Sequence, residues 1–149
     1  MAIVRICARP LLASMFLVGG ADAVRHPEPL VPAARPVVES LDELPVVPDR
    51  VATAVRLNGG VQTVAALMLA FGRMPRLAAA VLAATLVPVT AAGHRFWEAE
   101  GDDRRQQRIH FLKNLSMLGG LLIAAGEPTR RPARRGTVAL AQLRDHLPG

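Results

Sequence analysis

Four long apolar runs, divided by short charged connections, constrain this chain more than any other feature. They are IVRICARPLLASMFLVGGADAV at 3–24, VATAVRLNGGVQTVAALMLAF at 51–71, LAAAVLAATLVPVTAAG at 77–93 and IHFLKNLSMLGGLLIAA at 109–125. Each is roughly 17 to 22 residues long, close to the ~20 that cross ~30 Å of hydrocarbon. They are apolar on every face, which a surface helix with one buried stripe is not. A soluble domain of 149 residues has too little other material to bury four such helices on all sides. The expected fold class is therefore all-α: an integral membrane four-helix bundle over residues 1–127, with a basic cytoplasmic tail at 128–149.

Charge placement agrees. Charged residues make up 20% of the chain, and they stand in blocks between the apolar runs instead of along helix faces. The net charge of +6 would suit nucleic acid, but the basic residues flank the apolar runs as juxtamembrane charges do. Aromatics are 3% and tyrosine is absent, so no base-stacking surface is expected, and no nucleic-acid partner. Cys7 is the single cysteine, which excludes an internal disulfide or dithiol pair; no Cys/His spacing suits a metal.

With four spans, the N-terminus, the second connection and the tail share a side. That side holds nine arginines (Arg5, Arg9, Arg73, Arg76, Arg130, Arg131, Arg134, Arg135 and Arg144) against seven on the other. The short connection GRMPR carries two of the nine. The bias places both termini in the cytoplasm of a multi-pass plasma-membrane protein. The first run has a second grammar: a basic start, an apolar heart and Ala21-Asp22-Ala23, the pattern of a cleavable signal peptide.

The connections differ in kind. Residues 26–49 are rich in proline and read as an ordered outer cap with a short helix near Val37 to Leu44. Residues 94–108 read as a solvated loop. The tail carries RRPARR at 130–135, a cluster suited to anionic lipid headgroups, then VALAQLRDHL, a candidate amphipathic helix.

Threading the spans brings the polar side chains to one depth. Asp22 ends the first run; Arg56, Asn58 and Gln62 lie in the outer half of the second; His94 follows the third; His110, Lys113 and Asn114 open the fourth. Lys113 is then roughly 6 Å below the outer boundary at 1.5 Å per residue, a depth from which a lysine can snorkel. The other reading is a polar cluster, with Asp22 pairing Arg56 and Lys113 to offset about 2.5–3.5 kcal/mol per buried charge. Gly59, Gly119 and Gly120 are candidate helix-packing positions among small residues spaced four apart.

RLNGGVQTVAALMLAFGRMPRLAA, LVPVTAAGHRFWE and QQRIHFLKNLSMLGGLLIAAG resemble the DoxX family of small bacterial membrane proteins, over about residues 5 to 126. HFLKN, with the Gly-rich run after it, is the most specific part. The resemblance implies four membrane helices and a first span that is kept. The pattern carries onto Arg56, Asn58, Gly59, Pro88, His94, Trp97, Phe111, Lys113, Asn114, Gly119 and Gly120; nothing carries over beyond Glu127. The family name comes from association with a thiosulfate:quinone oxidoreductase, and some relatives are thought to partner redox and detoxification enzymes.

No hydrolase, metalloprotease, P-loop or dinucleotide motif is present, and no catalytic residue is assigned. The resemblance therefore implies a non-catalytic membrane subunit or scaffold of a redox assembly, with membrane lipids and redox enzymes or other membrane subunits as partners. The alternative is a quinone-binding subunit, with Arg56, His110 and Lys113 donating to a quinone carbonyl. Quinone is the cofactor this cluster would take. Haem, held by His94 and His110, is disfavoured, because histidines at helix ends are more often interfacial polar residues. Transport lacks a midplane polar site.

Overall fold

The structure is a computed structural model, and it describes residues 2–39, 51–93, 97 and 99–127. It is all helical, with no strand among the described residues. The helices are α1 (Ala2–Arg25), α2 (Val31–Glu39), α3 (Val51–Ala70), α4 (Pro75–Gly93) and α5 (Gly101–Gly126), with a 3₁₀ turn at Glu28–Leu30 before α2. The four long helices pack in the order α1, α3, α4, α5, while α2 lies across α3 and α4. Of the neighbouring pairs around the bundle, α1 and α5 touch least.

Two of these helices are long and apolar enough to cross a membrane, Ile3–Arg25 and Gly101–Gly126. The apolar part of α4, Pro75–Ala91, is shorter. Helix α3 has the length but carries Arg56, Asn58 and Gln62, which lower its hydropathy. The side chains of the two longest helices are mostly not buried by the rest of the protein; Ile3, Val4, Ile6, Leu11 and Val18 of α1 and Leu122 and Ile123 of α5 are exposed. Apolar exposure of this extent marks a surface meant for lipid or a partner.

The core is built from small residues. Ala13, Phe16, Ala65, Ala66, Leu69, Ala78, Ala79, Leu82, Ala83, Leu86 and Leu121 form one buried cluster. Alanines let helices approach closely where apolar surroundings give little other drive to associate. The closest approach is between α1 and α3. A Cβ at Gly20 would stand 2.7 Å from the Gly59 carbonyl oxygen, and one at Gly59 would stand 2.7 Å from that of Gly20. A Cβ at Gly120 would stand 3.4 Å from Leu12, an ordinary contact, whereas one at Gly119 would meet nothing within 4 Å. Gly119 thus packs against no other helix among the described residues.

The α3–α4 turn closes with Gly72 at φ +69, where the Arg73 N–H reaches the Met68 carbonyl and the Gly72 N–H that of Leu69. This Schellman pattern satisfies the last carbonyls of α3. Pro75 then starts α4, where its missing N–H costs nothing.

Two connections differ from expectation. The charged stretch read as a loop at 94–108 is helical from Gly101 onward, although its charged side chains are exposed. Asp102 and Asp103 favour the start of a helix, and no proline or glycine interrupts the residues after Gly101 up to the apolar run. The cap helix starts earlier than expected, at Val31, and its described part, Val31–Glu39, covers only residues 37–39 of the expected segment; Pro32 falls in its first turn, where proline is tolerated. Residues 40–44, His94 and the tail from 128, with VALAQLRDHL, lie outside the described residues.

Candidate functional site: a cavity beneath the cap helix

The ends of the bundle differ in chemistry. At one end, Glu127 meets Arg5 and Arg9 of α1, each at 3.3 Å, and Arg76 of α4 donates to the Ala125 carbonyl at 3.0 Å. The start of α1, the α3–α4 connection and the end of α5 therefore gather together, and Arg9 lies against Gly72 of that connection. This end is basic and closed, with the alanine-rich core beyond it.

At the other end, beneath α2, there is a cavity of about 420 Å³. Cavities of about 300–1,000 Å³ are usual for small-molecule sites. Its walls are chiefly apolar: Met15 and Phe16 from α1, Val37 and Val38 from α2, Leu86 from α4 and Met117 from α5. Four polar side chains join them, Asn58 and Gln62 of α3 and Lys113 and Asn114 of α5.

The sequence explains these positions. Asn58 and Gln62 are four apart and share a face of α3. Pro88 of α4 lines the cavity and cannot bond back to the Ala84 carbonyl, so the ladder of α4 is interrupted there. Two residues on, Asn114 Nδ2 donates to Thr90 Oγ1 at 3.1 Å, and the Thr90 hydroxyl donates to the Leu86 carbonyl at 2.8 Å. This chain fixes α5 against α4 and holds Asn114 in place; Asn114 is buried. Gln62 is also buried, with 8% exposure, yet its carboxamide bonds to nothing among the described residues.

The sequence-predicted polar residues do not all gather in one place. Asn58, Lys113 and Asn114 meet at the cavity. Arg56 does not join them: its Nη2 lies 3.8 Å from Glu28 Oε1, near the turn before α2, and its side chain lines a different groove with Gly60 and Val64. Asp22 makes no ion pair with Arg56 or Lys113 among the described residues, so the expected ring of Asp22, Arg56 and Lys113 does not form. Lys113 Nζ instead stands 3.4 Å from His110 Nδ1, one turn back on α5, and is exposed. Trp97 packs edge-on against Phe111 at 6.4 Å. His94 is not described, so its pairing with His110 around a haem has no geometry to support it. Gln62, which the sequence brings to the same depth but which was given no role in the expected cluster, is the most deeply placed polar residue of the lining along with Asn114. Its i, i+4 relation to Asn58 was the signal that could have included it.

No group of three or more His, Cys, Asp or Glu that could hold a metal occurs among the described residues, and Cys7 is exposed. A protein-family model described as DoxX matches residues 4–95. HFLKN, taken above as the most specific element, lies beyond that match. No curated protein and no solved structure matches the chain.

Proposed function

The chain belongs to the DoxX family of membrane proteins, and on that premise we propose that it is a multi-pass subunit whose cavity beneath α2 holds a quinone. The observation that carries this reading is the cavity itself: an apolar chamber of about 420 Å³ with side-chain amides of α3 and α5 in its lining. Such a chamber suits a flat, apolar ring with oxygen at its edge, and the amide N–H groups can donate to a ring carbonyl. The role is non-catalytic: the chain holds a redox-active molecule beside an enzyme partner in a redox or detoxification assembly.

In this reading α1, α3, α4 and α5 all cross the plasma membrane. The arginine-rich end with Arg5, Arg9, Arg73 and Arg76 faces the cytoplasm, and α2 caps the outer side. Helix α1 is retained and not cleaved as a signal. Its Gly20 crossing with α3 and its core residues Ala13 and Phe16 support this, since cleavage after Ala23 would remove them all.

Lipid extraction of the protein purified in mild detergent tests the functional reading. The expected extract contains about one quinone per chain, and the visible spectrum shows no haem band. A quinone-free extract from a sample that still carries a redox enzyme would leave the scaffold role and remove the quinone.

A further inference from the structure

We propose that the head group of the cavity's ligand is read by the α3 carboxamides, Gln62 first and Asn58 beside it. The ligand is accordingly a neutral molecule with carbonyl or hydroxyl oxygen. This rests on the reading of the cavity as a quinone site, and it moves recognition away from the basic residues Arg56, His110 and Lys113.

Gln62 is more than nine-tenths buried, and its carboxamide has no hydrogen-bond partner among the described residues. No side-chain nitrogen or oxygen there is both sealed from open space and unpartnered. The Gln62 amide must therefore border open space, and the space whose wall it forms is the cavity. Asn58, one turn earlier on the same wall, also has a carboxamide with no bond of its own. The third amide, Asn114, has committed its Nδ2 to Thr90.

The chemistry of the amides selects the ligand. Each free carboxamide offers two N–H donors and one acceptor oxygen, so it can donate to a carbonyl or accept from a hydroxyl. Neither carries charge, so an ionic head group gains no countercharge from them. Arg56 is turned to Glu28, and the Lys113 ammonium is exposed and beside His110. In an apolar chamber few water molecules compete for the amides, which raises the value of a matched oxygen.

Calorimetric titration of the purified full chain in detergent tests this. The probes are duroquinone, the hydrocarbon durene of the same outline, and tetramethylphenol. Wild type should bind duroquinone at least about tenfold more tightly than durene, the effect of about one well-placed hydrogen bond. Gln62→Met, close in shape but without the amide, should lose that preference, while Lys113→Met should keep most of it. Asn58→Ala, which should weaken the preference, gives a second measure if Gln62→Met melts early.

The outcomes separate the two readings. Duroquinone bound equally by wild type, Gln62→Met and Asn58→Ala would overturn the amide inference and leave the quinone reading standing. Tetramethylphenol bound in a Gln62-dependent way, with duroquinone rejected, would keep the inference and remove the quinone. Equal affinity of wild type for durene and duroquinone, or binding of none of the three, would overturn both.

Discussion

Gly20→Ala and Gly59→Ala should each destabilise the protein by about 2–3 kcal/mol, the upper part of the range for overpacking. A single methyl at either position would lie 2.7 Å from a backbone oxygen of the facing helix, and a backbone cannot rotate away as a side chain can. At Gly20 the same methyl would also stand 2.7 Å from Thr63 Oγ1, whose hydroxyl is held by the Gly59 carbonyl at 2.9 Å. Helices α1 and α3 would have to part, and their packing is the most extensive in the structure. Each sensitive glycine has an insensitive neighbour. A Cβ at Gly19 or Gly60 meets nothing within 4 Å, so alanine there should be neutral, or stabilising by up to about 1 kcal/mol through helix propensity. Thermal melts in detergent should therefore split each Gly-Gly pair. Equal behaviour of Gly59→Ala and Gly60→Ala would contradict the α1–α3 crossing.

Asn114→Ala should cost about 1–3 kcal/mol, because it removes the link between α5 and α4 at a buried site. Thr90→Val should cost less when Asn114 is already gone, giving a coupling on the order of 0.5–3 kcal/mol in a double-mutant cycle. Asp22→Asn and Lys113→Ala serve as the comparison. Their side chains are not paired, so their effects should add within about 0.3–0.5 kcal/mol. Additive behaviour of Asn114 and Thr90 would show that the bond between them does not hold the helices.

How legible was this architecture? Long apolar runs separated by charge are visible without coordinates, and helices occupy all four. Their polar residues do not all face the same way. Depth follows from counting 1.5 Å per residue, but the face follows from rotation. Arg56 and Asn58 are two residues apart, about 200° around the helix, so they cannot look the same way. Arg56 accordingly shares a groove with Gly60 and Val64, while Asn58 shares the cavity with Gln62. The pairing of Arg56 with Glu28 was hidden because it depends on where the turn before α2 lies across α3. The early start of α5 was hidden for another reason: DDRRQQR is as polar as a loop, yet nothing in it opposes a helix. Gly119 and Gly120 look alike in sequence, and only the approach of Leu12 tells them apart.

In the proposed reading this bundle crosses the membrane with a quinone-accepting cavity at its outer side. Thiol labelling of intact cells tests it most directly, using an impermeant maleimide on a Cys7→Ser background. Asp102→Cys should react from outside, Arg73→Cys should react only after the membrane is opened, and Ala54→Cys, in the cavity wall, should react slowly and be protected by duroquinone. Labelling of Arg73→Cys from outside, or labelling of Ala54→Cys at the same rate with and without duroquinone, would contradict the account.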